Sequence, residues 1–89
     1  VAEMIVEVVS LDQSVWTGTA RMVRVRTTEG DIGILPGHEA VAGILRPGQF
    51  AVEPVDGPRF GGTIDAGFVF MDNNRVTIVA DSVELADAA

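Results

Sequence analysis

Arg59-Phe60-Gly61-Gly62-Thr63-Ile64-Asp65-Ala66-Gly67-Phe68-Val69-Phe70-Met71, followed by Asp72-Asn73-Asn74 and then Arg75-Val76-Thr77-Ile78-Val79-Ala80, is the stretch that decides the fold. Phe60, Ile64, Phe68 and Phe70 all fall at even positions, so an extended chain can line one face with them. Gly61-Gly62 and Gly67 interrupt the run and predict a bulge or bend. Asp72-Asn73-Asn74 predicts a hairpin turn, because Asn tolerates positive φ. Arg75–Ala80 returns as a strand with Val76 and Ile78 on one face. No window here has a helical period.

Working outward, the same grammar repeats. Short runs rich in Val, Ile, Thr and Phe are separated by Gly18, Glu29-Gly30, Pro36-Gly37, Pro47-Gly48 and Asp56-Gly57-Pro58. Met4–Leu11 alternates, with Met4, Val6 and Val8 on a wholly apolar face. Val15–Thr19 predicts a second, short strand carrying Trp16. Ala20–Thr27 predicts a third, with Val23 and Val25 opposite Arg24 and Arg26. Ile32–Leu35 is a short apolar segment between turns. Ala40–Leu45 is apolar on both faces, and Phe50–Val55 sets Phe50 and Val52 against Ala51 and Glu53. Regularly spaced short strands with turns between them predict an all-β sandwich of about eight to ten strands. It occupies residues 1–84, with a short tail over 85–89. Val83–Ala89 contains good helix formers but is too short to hold a helix unaided.

Composition narrows the function. With 89 residues, one domain is the natural count. Such a chain buries only about 60% of its unfolded surface, so stability is marginal without a partner. Cys is absent and there is one His, which excludes disulfides, thiolate metal sites and a multi-His site within one chain. All six basic residues are Arg, which excludes Schiff-base and P-loop lysines. A net charge of −7 argues against nucleic acid and anionic membranes as partners. No apolar run approaches the roughly 20 residues that span a bilayer, and Val1–Val9 has no basic start of a signal peptide.

Candidate chemistry is sparse. His38 beside Glu39 could be a base and its orienter, but a surface loop histidine is the simpler reading. Glu29 and Asp31 flank Gly30 in an acidic tip with too few oxygens for Ca²⁺; a solvated turn or a patch meeting a basic partner fits better. Asp72-Asn73-Asn74 lacks the spacing of a Ca²⁺ loop. Gly61-Gly62 opens no helix and so is no phosphate cradle. Arg24 and Arg26 read as solvated, or as pairing with an acidic partner. No metal or cofactor site is expected.

Glu29-Gly30-Asp31-Ile32-Gly33-Ile34-Leu35-Pro36-Gly37-His38 resembles the signature of the epsilon subunit of F-type ATP synthases. Val8-Val9-Ser10, Val15-Trp16-Thr17-Gly18, Leu45-Arg46-Pro47-Gly48, Ala66-Gly67-Phe68 and Val76-Thr77-Ile78-Val79-Ala80-Asp81 are similar to further pieces of that family, in the same order. The resemblance covers Met4 to about Glu84. It implies an N-terminal β-sandwich of about ten strands, with the family's two C-terminal helices lying beyond the matching residues. It also implies a non-catalytic rotor subunit that links gamma to the c ring, peripheral to the cytoplasmic face of a bacterial membrane. Ser10 and His38 would face gamma. The segment after His38 would lie near that side, so that some of Val41, Ala42, Ile44 and Leu45 are uncovered in the free chain. Val41 and Leu45 are the expected contacts. Glu29 and Asp31 would meet the c ring. A dimer of the isolated chain through its vacant face is a further expectation, as is the absence of nucleotide binding. The alternatives are a stand-alone small-ligand-binding sandwich and a small hydrolase built around His38.

Overall fold

Strand β1 (Met4–Ser10) buries Met4, Val6 and Val8 completely and leaves Ile5 and Glu7 outside, as its alternation predicts. The computed structural model describes residues 3–86. Eight more strands follow: β2 (Ser14–Thr27), β3 (Gly30–Ile34), β4 (Val41–Leu45), β5 (Gly48–Pro54), β6 (Phe60–Ile64), β7 (Gly67–Asp72), β8 (Arg75–Ala80) and β9 (Val83–Leu85). The nine strands agree with the all-β reading.

The two strands expected over Val15–Thr27 are one. β2 runs for 14 residues and belongs to both layers. Its first half pairs with β1, and its second half lies between β3 and β5. An extra residue enters between Ala20 and Met22, opposite Pro54 and Glu53. Such a bulge bends the strand and shifts its alternation by one. Even positions therefore face inward up to the buried Ala20, and odd positions Val23, Val25 and Thr27 face inward after it.

One layer contains β1, β8, β7 and β4, joined in that order, with β1 parallel to β8 and the other pairs antiparallel. It closes onto β2 through the β1–β2 ladder and through Thr27 opposite Leu45. The other layer contains β3, the second half of β2, β5, β6 and β9. Trp16, Phe60 and Phe50 fill the space between layers at one end, with ring centroids 5.0 and 6.5 Å apart in sequence along the cluster.

The long strand expected over Arg59–Met71 is two strands in different layers. β6 pairs with β5 and β9, whereas β7 pairs with β4 and β8. The chain crosses at Asp65-Ala66, held by Asp65 N donating to Ser82 O and Asp81 N donating to Ala66 O. The crossing reverses the alternation. Ile64 is buried, but Val69 and Met71 are the buried residues of β7, while Phe68 and Phe70 point outward. Of the glycines expected at a bulge or bend, Gly67 follows the bend at Asp65-Ala66, whereas Gly61 and Gly62 mark none and serve close backbone approach. The β5–β6 register is unbroken, and a Cβ on Gly62 or Gly67 would run into the Glu84 or Val79 carbonyl oxygen of the neighbouring strand. The last strand, Val83–Leu85, runs one residue into the tail expected over 85–89, and Ala86 N donates to Gly61 O. The remainder of that tail, residues 87–89, lies outside the described residues.

Candidate partner-binding surfaces

The outward side of β1, β8, β7 and β4 is apolar along a row that crosses all four strands. Val9 stands opposite Val79, Val79 opposite Phe68, and Phe68 opposite Ile44. The next row is Glu7, Thr77, Phe70 and Ala42. Ile44, Phe68 and Phe70 are 55%, 51% and 47% exposed. Phe68 and Phe70 stack with ring centroids 6.2 Å apart. A shallow depression of about 330 Å³ opens beside them, between Ala40–Ala42 and Phe70–Asp72. A contiguous uncovered apolar face of this kind marks an interaction surface.

Alternation decides which of the residues after His38 reach it. Ala42 and Ile44 are exposed, in line with an uncovered segment. Leu45, expected at the contact, is only 3% exposed and belongs to the core opposite Thr27. Odd positions of β4 face inward, so Ile44, and not Leu45, lies on the exposed side. Val41, also odd, is half-buried and packs against the core. Phe68 and Phe70 share even positions with Phe60 and Ile64, but the crossing at Asp65-Ala66 puts them on the outward side while Ile64 stays buried.

Ser10 and His38 mark opposite ends of this layer. Ser10 is level with Ala80 at the end of β1, and its Oγ donates to Gln13 O at 3.3 Å. His38 closes the turn Leu35-Pro36-Gly37-His38, in which His38 N donates to Leu35 O at 3.0 Å and Gly37 has φ +85°. Pro followed by a positive-φ Gly is a type II turn. This turn sits beside Asn74, which precedes Arg75, and Arg75 is level with Ile5 at the start of β1. Five register steps separate the two ends, about 17 Å. The His38 ring nitrogen Nδ1 is 2.7 Å from the Glu39 carbonyl oxygen, a main-chain contact rather than a carboxylate one.

The acidic tip lies at the Ser10 end. Thr27 Oγ1 donates to Gly30 O at 2.8 Å and accepts from Glu29 N at 3.1 Å, which pins the turn between β2 and β3. Thr28 N donates to Ile44 O, so the tip abuts the apolar row. Glu29 and Asp31 are both exposed. Asp31 Oδ1 accepts from Arg26 Nε at 3.1 Å in a solvated cross-strand pair. Arg26 is therefore engaged within the chain, whereas Arg24, on the same outward face, makes no ion pair among the described residues. A further depression of about 390 Å³ is a surface feature at β5 and β6 beside Arg59 and Gly61.

A nine-stranded sandwich with an uncovered apolar sheet face and an acidic tip defines a docking module, and the comparisons identify its kind. The profile of the family described as "ATP synthase, Delta/Epsilon chain, beta-sandwich domain" matches residues 3–86, and the chain belongs to this family. It is 44% identical over 86 residues to the ATP synthase epsilon chain of Rhodococcus erythropolis, covering 96% of this chain and 70% of that one. It is 43% identical over 88 residues to the ATP synthase epsilon chain of Micrococcus luteus, covering 99% of this chain and 97% of that one. Its fold matches a chain in the Euglena gracilis mitochondrial ATP synthase with a TM-score of 0.88 and 26% identity over 96% of its length. It spans 54%, about half, of that Euglena chain. A central stalk and c-ring structure from Tetrahymena thermophila matches at a TM-score of 0.71 and 17% identity, a likeness of fold.

Proposed function

We propose that this chain is the β-sandwich of an epsilon-type rotor subunit, a non-catalytic body that links the gamma subunit to the c ring of an ATP synthase. The observation that carries the reading is the apolar row Val9, Val79, Phe68 and Ile44 across four strands, with Phe68 and Ile44 exposed and Val9 and Val79 half-buried. In this reading the row packs on gamma, with Ala42 and Phe70 beside it and Ser10, Val41 and His38 at its margins. The tip formed by Glu29 and Asp31 meets the c ring, where exposed carboxylates suit a basic partner. A stiff two-layered body with two separated contacts suits the transmission of torque, and no reacting group is required of it. The subunit associates with the cytoplasmic face of a bacterial membrane through the complex; among the described residues no helix is long and apolar enough to cross a membrane.

The test is a titration of the chain into an ATP synthase catalytic complex that retains gamma and has been stripped of its own epsilon. Saturable binding, weakened at least tenfold by Phe68→Asp or Ile44→Asp, is expected. Equal binding by native and substituted chains removes this face from the contact.

A further inference from the structure

Asn74 joins the β7–β8 hairpin both to the start of β1, which the strand ladder already holds beside it, and to the Leu35–His38 turn, which the ladder leaves apart. With Asn73 it forms the two-residue loop between β7 and β8, at φ +59° and +48° respectively, the backbone of a type I′ hairpin. Its carbonyl oxygen accepts from Ile5 N at 2.8 Å, which fixes the start of β1. Its side-chain Oδ1 accepts from Gly37 N at 2.7 Å. In a type II turn the central peptide is flipped, so the N–H of the third residue points away from the turn's own hydrogen bond. Gly37 N is thus a donor that the turn cannot satisfy, and Asn74 supplies its acceptor.

This contact lies where the sheet gives out. β4 and β7 make their last paired rung at Val41 and Met71, and residues 35–40 have no strand partner. Among the described residues, the Gly37–Asn74 bond is the hydrogen bond that ties 35–40 to another part of the chain. The apolar depression has one wall from Ala40–Ala42 and the other from Phe70–Asp72. Gly37 leads into the first wall, and Asn74 follows the second.

We infer that Asn74 is a positioning residue for the partner-binding face, its side chain clasping the Leu35–His38 turn to the β7–β8 hairpin so that the two walls of the depression and His38 are held in place before the partner arrives. The inference rests on the proposed docking face. Without the clasp the turn loses its anchor and must be ordered on binding, which weakens affinity.

Asn74→Gly keeps a residue that accepts the left-handed backbone and deletes the acceptor, whereas Asn74→Asp keeps both. Amide exchange at Gly37, read by NMR on the isolated chain, is expected to be about tenfold faster in Asn74→Gly, the scale of one lost hydrogen bond. Binding to the epsilon-stripped complex is expected to weaken about five- to tenfold, and Asn74→Asp to bring both readouts within about twofold of native. Unchanged Gly37 exchange in Asn74→Gly overturns the clasp. Faster exchange with native affinity overturns its role in binding, and so does an affinity loss that Asn74→Asp fails to restore. Phe68→Asp, measured alongside, tests the docking face itself: native affinity in that variant dismisses the face, while the Gly37 exchange still decides the clasp.

Discussion

The guanidinium of Arg26 reaches across from β2 to the carboxylate of Asp31 on β3, Nε to Oδ1 at 3.1 Å, so one of the two acids at the tip is already partnered. The pair is solvated on both sides, with side chains 50% and 61% exposed. Exposed pairs contribute about 0–1 kcal/mol, so the bond orients Asp31 more than it stabilises the fold.

Glu29 makes no ion pair among the described residues. Glu29→Gln is therefore expected to weaken association with a c ring more than Asp31→Asn, an equal change of one charge, does. Both losses should be larger at low ionic strength, where exposed charges are less screened. Thermal stability should move little in either variant. Binding measured at two salt concentrations checks this, and equal effects at both would remove the electrostatic role of the tip.

Neighbouring residues of β4 should behave oppositely. Leu45 is in the core, and Leu45→Ala is expected to cost about 2–5 kcal/mol of stability. Ile44→Ala should cost well under that, because Ile44 is 55% exposed, yet weaken binding to the gamma-containing complex. Denaturant unfolding followed by the fluorescence of Trp16, the single tryptophan, measures the first effect.

Gly62 can be tested in the same way. A Cβ there meets the Glu84 carbonyl of β9, so Gly62→Ala must push β9 away from β6. Loss of protection at the Ala86 amide, which donates to Gly61 O, is the expected signature in hydrogen exchange. The β1–β8 ladder should be unaffected.

The strands of this sandwich were legible wherever alternation ran unbroken. Met4, Val6 and Val8, Phe50 and Val52, and Val76 and Ile78 are buried as their spacing indicates. Reading failed where one residue changes the phase. The extra residue between Ala20 and Met22 joins two expected strands into one, and the crossing at Asp65-Ala66 parts Phe68 and Phe70, which point outward, from the buried Ile64 with which they were expected to share a face. A phase shift is set by which strands pair, a long-range property that a local pattern does not carry. The acidic tip was legible because it is local, a short turn between strands. The apolar face was legible only at β4, where Ala42 and Ile44 are uncovered as expected, because its rows draw one residue from each of four strands separated in sequence.

The last prediction concerns the isolated chain. Its uncovered row is self-complementary in character, apolar on apolar, so two copies can bury Phe68 and Ile44 against each other when no partner is present. Each copy carries a net charge of −7, which opposes the encounter through like-charge repulsion. Added salt screens that repulsion and leaves apolar burial in place. Self-association is therefore expected to strengthen as salt rises from about 0.01 to 0.15 M, over which the Debye length falls from about 30 to 8 Å. The acidic tip's contact with a basic partner should change in the reverse direction. Phe68→Asp should abolish self-association by placing a charge in the apolar row and adding to the repulsion. Sedimentation velocity across a concentration series at two salt levels measures this. A monomer at every concentration and salt level would show that the face, though uncovered, does not pair with itself, and a dimer that survives Phe68→Asp would place the self-contact elsewhere on the sandwich.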